Sequence, residues 1–181
     1  MEVSKTLQQS QCWVDKLVVG LNLCPFAKPV IQQNQLKWVE TQTEDMDELW
    51  DLCKEEVALL MAASPKEVET TLIVHPRALL DFEMFWDFVQ QFEDALALSG
   101  MDESVQLASF HPDYLFEGED PQDPSHFTNR SPHPMIHLLR VASVEQVVEQ
   151  FPDTLGIPEE NVKRLQEMGL KEVQDLRDSC L

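Results

Sequence analysis

Between His111 and Arg140 the chain gathers the side chains best equipped for polar chemistry: His111, Asp113, Asn129, Arg130, Ser131, His133, His137 and Arg140. Four of the five histidines lie in this stretch; the other is His75. Cations are scarce around it. Over residues 67–162 the only lysines or arginines are Arg77, Arg130 and Arg140, each within three positions of a histidine. Guanidinium forks bind phosphate or carboxylate through paired hydrogen bonds, and imidazoles move protons near neutral pH. The pattern predicts an enzyme site for a small phosphate- or carboxylate-bearing metabolite. Arg77, Arg130 and Arg140 would bind the anion, Asn129 and Ser131 would orient it, and His111, backed by His75 or His137, would be the acid-base catalyst.

Blander readings stand beside each assignment. The arginines could tie down nearby acids such as Asp113, Glu117 or Asp123, and His137, inside a strand, could be a core histidine satisfied by a backbone carbonyl. His126 and His133 read as loop bystanders. His75, His111, Asp113 and His137 would be an acceptable ligand set for a divalent ion, but no local spacing supports it, so no metal is assigned and no cofactor is named. Ser131 lacks the G-x-S-x-G elbow of a nucleophile. Cys24-Pro25-Phe26-Ala27 looks like the active-site turn of single-cysteine thioredoxin-fold proteins, but a helix rather than a strand precedes it, and Cys24 reads as core.

Charge narrows the partners. Asp and Glu number 33 against 13 Lys and Arg in 181 residues, a formal net charge of -20. Nucleic acid and anionic membranes would be repelled. No apolar run approaches the roughly 20 residues of a membrane span and no signal core opens the chain, so a cytoplasmic location is expected. Cys12, Cys24, Cys53 and Cys180 show no C-x-x-C spacing and would be reduced thiols there. A protein partner is the alternative to a small anion, docking on the acidic surface and on the helices from Glu159 to Leu176. A metal-dependent hydrolase or oxidoreductase is the third possibility.

The elements that must position these residues follow from periodicity and stop signals. Val14, Leu17, Val18 and Leu21 mark a first amphipathic helix ending at Gly20 to Pro25. A polar stretch and a short strand over Leu36 to Thr41 follow. Thr41-Gln42-Thr43-Glu44 reads as a capping box, opening a helix whose buried face runs Met46, Leu49, Trp50, Cys53, Val57, Leu60 and Met61. Thr70 to Val74 is a strand ending at His75-Pro76. Phe82, Phe85, Trp86, Val89, Phe92 and Leu96 form the core stripe of the next helix, and Val105 to Phe110 is a strand ending at His111-Pro112. These two strands are expected to be parallel neighbours. The segment 136–141 is strand-length, because Ser143-Val144-Glu145-Gln146 reads as a capping box for a new helix. Two more helices end the chain, and the nearest things to linkers are Glu117 to Pro124 and Phe151 to Pro158.

Gly20-Leu21-Asn22-Leu23-Cys24-Pro25-Phe26-Ala27, Phe110-His111-Pro112-Asp113-Tyr114 and the run from Thr128 to Arg140 together resemble the domain-of-unknown-function family 1415. That family comprises bacterial and plant proteins of about this length, with a tyrosine usual where His133 stands here. The resemblance implies a shared site and names no substrate. The fold class expected is α/β or α+β, a mixed sheet of about four strands covered by helices, as an open sandwich or a ferredoxin-like variant. Residues 1–181 would form one domain, with 157–181 a C-terminal helical extension packed on it.

Overall fold

The computed structural model describes residues 3–150 and 156–181, so the start of the expected linker at Phe151 lies outside the described residues. The chain order is α1 (Lys5–Trp13), a π-helical continuation (Val14–Val19), α2 (Ala27–Gln32), β1 (Leu36–Glu40), α3 (Met46–Ala62), β2 (Thr70–Val74), α4 (Phe82–Leu98), β3 (Val105–Phe110), a 3-10 turn (Pro124–Thr128), β4 (Met135–Arg140), α5 (Val141–Gln150), α6 (Ile157–Met168) and α7 (Leu170–Asp178). The first helix starts earlier than its apolar periodicity suggests, because the Ser4 hydroxyl accepts the Leu7 N–H as an N-cap. The polar stretch after Phe26 contains α2. The cap of α3 is Asp45 rather than Thr41, its carboxylate accepting the amides of Asp47 and Glu48 at 2.8 and 3.0 Å. Helix α5 begins at Val141, directly after β4, so Ser143 lies inside it.

The sheet runs β1-β2-β4-β3, with β1 parallel to β2 and β4 antiparallel to both β2 and β3. Strands β2 and β3 do run in the same direction. They are not neighbours, because β4 lies between them. Register puts Glu40, Val74, Met135 and Phe110 at one edge of the sheet, and Thr70, Leu139, Arg140 and Val105 at the other.

Alternation along the strands supplies two cores. Ile73, Ile136 and Leu138 face Leu49, Cys53, Val57 and Leu60 of α3 and Phe85, Val89, Phe92 and Leu96 of α4. Leu72, Val74 and Met135 face Trp13, Val14, Leu17, Phe127, Leu165 and Val173. Helices therefore cover both faces, an open three-layer sandwich rather than a ferredoxin-like sheet. Cys53 is core as expected, and burial pushes its thiol up to about 12, which leaves it unreactive. Each fully buried Leu or Phe contributes about 1.5–3 kcal/mol.

The C-terminal helices are part of the second core. Leu165 and Val173 are wholly buried, and Met168, Leu170 and Leu176 pack around them, so these helices contribute their apolar face to the chain's own core. Asn161 donates its side-chain amide to the Leu23 carbonyl at 2.7 Å, and Arg164 donates to Leu21. These bonds fasten α6 to the turn after the π-helical segment, where Gly20 is required: a Cβ there would stand 2.2 Å from the Lys16 carbonyl oxygen. A disulfide joins Cys12 of α1 to Cys180 beyond α7, with Cα atoms 5.5 Å apart. The expectation of four reduced thiols fails for this pair, because a pairing 168 residues apart in sequence is created by tertiary packing and leaves no local spacing to read. Cys24 and Cys53 remain free thiols.

Candidate functional site

The two His-Pro motifs end β2 and β3 at the same sheet edge, and the fold brings their rings together around Phe85. The centroid of Phe85 is 5.9 Å from His75 and 5.0 Å from His111. Both histidines are wholly buried. His111 accepts the Asp113 N–H at Nδ1 (3.0 Å), so its proton is on Nε2, which donates to the Leu79 carbonyl at 3.2 Å. The Nδ1–H of His75 donates to the Ala78 carbonyl at 3.1 Å, and its Nε2 has no partner among the described residues. Burial pushes His75 down to about 4, and His111 is lowered by the same cause. Two neutral imidazoles thus clamp successive carbonyls of one loop. Leu79 within it holds a left-handed φ of 55°, a conformation costly for leucine that persists where its surroundings impose it.

The predicted arginine island does not form. Arg140 ends β4 at the opposite sheet edge from Arg77 and points into the first core, where its Nη2 donates to the carbonyls of Leu60, Ala63 and Val68 at 2.5, 2.8 and 2.9 Å. It caps the C-terminus of α3, which has no basic residue in its own last turn. Arg130 donates to the carbonyls of Tyr114 (2.9 Å) and Pro121 (3.2 Å) and lies over Phe127, 5.2 Å from its centroid, closing the acidic loop. Arg77 is the exposed one of the three, near Glu44 at 3.6 Å, while Arg130 is half-buried.

Asn129 and Ser131 also serve the backbone, and His137 bonds another side chain. The side-chain amide of Asn129 donates to Ser109 O at 2.9 Å, and buried Ser131 donates to His133 O at 2.5 Å. His137 projects to the other face of the sheet from His75. Thr70 gives its hydroxyl proton to Leu138 O, so the 2.6 Å contact between Thr70 Oγ1 and His137 Nε2 is a donation from the ring. Burial holds His137 at about 4. The proposed metal set of His75, His111, Asp113 and His137 is accordingly divided between two faces, and among the described residues no group of three His, Cys, Asp or Glu side chains could hold an ion. His126 is no bystander: wholly buried, it donates to Asp120 O at 2.8 Å and accepts the Phe116 N–H at 3.1 Å.

A different feature emerges beside this edge. The first turns of α3 and α4 enclose a shallow groove of about 280 Å³, lined by Met46, Asp47 and Trp50 on one side and by Met84, Asp87, Phe88 and Gln91 on the other. Its floor is aromatic, with Trp50 edge-on to Phe88 and Phe92 at centroid distances of 5.4 and 4.9 Å. Met46 is 47% exposed and Met84 52%. The sequence pattern placed Met46 on a buried face, and likewise Trp86, which is 40% exposed on α4. Periodicity finds the apolar stripe of a helix but not which of its members stay exposed. The acids were visible: no lysine or arginine occurs from Ala78 to Asn129. A larger hollow of about 510 Å³ lies at the α6–α7 turn. It is a surface depression formed by Met168 to Asp175 alone, and its Lys171 and Asp175 pair with each other.

No helix among the described residues is long and apolar enough to cross a membrane. No curated protein and no solved structure matches the chain. One family model, described as Protein of unknown function (DUF1415), matches residues 5–175 and so spans every element from α1 into α7, including all three stretches that carried the resemblance. The chain belongs to the DUF1415 family.

Proposed function

We propose that this chain is a protein-binding module and that its docking face is the groove between α3 and α4. The observation that carries the reading is the pair of half-exposed methionines over an aromatic floor, in a hollow of about 280 Å³. That volume is below the roughly 300–1,000 Å³ of small-molecule pockets, so the groove suits a partner's side chain better than a metabolite. Methionine adapts its shape to apolar partners and recurs at such surfaces. His111, Asn129, Arg130, Ser131 and Arg140 are meanwhile engaged with backbone groups, which favours binding over turnover.

An enzyme for a small anion keeps one observation in its favour, the buried and unpartnered Nε2 of His75 near the exposed Arg77. One experiment weighs both readings. Backbone amides of the full chain are followed by two-dimensional NMR during titration with apolar synthetic peptides and, separately, with inorganic phosphate. Docking predicts peptide-induced shifts confined to α3 and α4. No shift there with any peptide would refute it, and shifts with phosphate at Arg77 and His111 would favour the enzyme.

A further inference from the structure

We infer that the occupant of the α3–α4 groove is a cationic amphipathic helix, anchored by one large apolar side chain over Trp50 and Phe88 and flanked by lysines or arginines that reach Asp47 and Asp87. This rests on the docking reading above and adds the chemistry of the partner.

Charge complementarity is the argument. Asp47 and Asp87 stand on opposite walls, and neither side chain enters an ion pair or hydrogen bond among the described residues. Around them lie Glu48, Asp51 and Glu83, while α4 carries Glu83, Asp87, Glu93 and Asp94 with no lysine or arginine. The helix N-termini add partial positive charge, but caps Asp45 and Asp81 already meet their free amides, and Asp47, Glu48 and Glu83 sit in the first turns. Asp51 pairs with Lys54 and Glu48 accepts the Thr43 hydroxyl, so at the rim Asp47, Asp87 and Glu83 are the carboxylates left for an incoming cation.

Shape selects the rest. Helices α3 and α4 follow the parallel strands β1 and β2 and cover the same sheet face, so the trough between them has the form that receives a third helix. A second copy of this chain would bring like charge to the rim, and anionic lipid or nucleic acid would be repelled by a chain of net charge -20.

The test uses the full chain and three synthetic amphipathic helices sharing one apolar face, with lysine, glutamine or glutamate on the polar face. Binding is read from shifts of the backbone amides and of the Trp50 indole N–H. The lysine peptide should bind at least about tenfold more tightly than the glutamine peptide, with an affinity that falls as salt rises. The double variant Asp47→Asn/Asp87→Asn should lose most of that preference. A control, Glu159→Gln/Glu160→Gln on α6, removes the same charge elsewhere and should keep it. Equal binding of lysine and glutamine peptides in the groove overturns the cationic partner and leaves the docking reading standing. No binding in the groove overturns both. Equal loss in the two double variants also overturns the inference, since the attraction would then belong to the whole chain's field.

Discussion

Arg140→Met separates a structural arginine from an anion-binding one. The substitution keeps the aliphatic stem and deletes a guanidinium that donates to Leu60 O, Ala63 O and, from both Nη2 and Nε, Val68 O. A hydrogen bond from a charged donor contributes about 1.5–3 kcal/mol. A cation at a helix C-terminus adds up to about 2 kcal/mol in a partly buried setting. Relief from burying a charge that no carboxylate neutralises runs the other way, by several kcal/mol. The balance is a loss of about 3 kcal/mol, the lower end of what breaking a buried charged network costs. For a chain of this size that lowers Tm by about 6–12 °C. Urea unfolding followed by far-ultraviolet circular dichroism measures the loss, and hydrogen exchange locates it: the last turn of α3 should exchange faster while α4 is unchanged. Arg140→Lys should recover only part, because one ammonium nitrogen replaces two donor positions and loses the separate Nε–H donation to Val68 O. A change under about 0.5 kcal/mol, the range of ordinary surface substitutions, would falsify the helix-cap account.

Two further outcomes can be measured on the same footing. The Cys12–Cys180 link closes a loop of 168 residues, for which chain entropy gives roughly 5 kcal/mol and measured disulfides commonly give about 2–4. Reductant or Cys180→Ser should lower the urea midpoint accordingly, and peptide mapping should find Cys12 linked to Cys180 with Cys24 alkylatable; a midpoint indifferent to reductant rejects the clasp. His75 is held neutral with its pKa at about 4, against about 6.5 in the unfolded chain. Between those values the unfolded chain binds a proton that the native one does not. The stability due to this group is therefore complete above about pH 6.5 and lost on acidification toward pH 4, by about 3 kcal/mol in all. His75→Gln should flatten that part of the profile, and equal pH slopes for the two proteins would show that His75 is not buried neutral.

Much of the fold was legible because it is local. Thr70–Val74 and Val105–Phe110 have the expected bounds, and β4 begins one residue before the expected segment. What escaped depends on contacts far apart in sequence. Antiparallel β4 between β2 and β3 separates Arg140 from Arg77 by the length of the sheet, and no periodicity reports that insertion. The scarcity of cations was correctly seen but has another cause. Arg130 and Arg140 each satisfy backbone carbonyls that a loop and a helix end leave unpaired, a task for a long side chain with a fan of donors. A polar side chain bonded to backbone and one bonded to ligand look alike in a sequence, so residue types alone do not separate the two roles.

The histidine motifs bear on the proposed groove by position. His75 and His111 hold the carbonyls of Ala78 and Leu79 immediately before Asp81 caps α4. Neutral imidazole suits that place: it offers one donor to a carbonyl without bringing a charge into the aromatic cluster of Phe82, Phe85 and Tyr114. The loop they fix sets where α4 begins, and with it the position of Met84 and Asp87 opposite Met46 and Asp47. Arg77 and Glu44 bridge the two loops that open into α3 and α4, an exposed contact of small energy that nonetheless joins the two walls of the groove at their start. His75, His111 and Arg77 thus frame the proposed groove: one loop pinned by two strand ends decides how α4 meets α3.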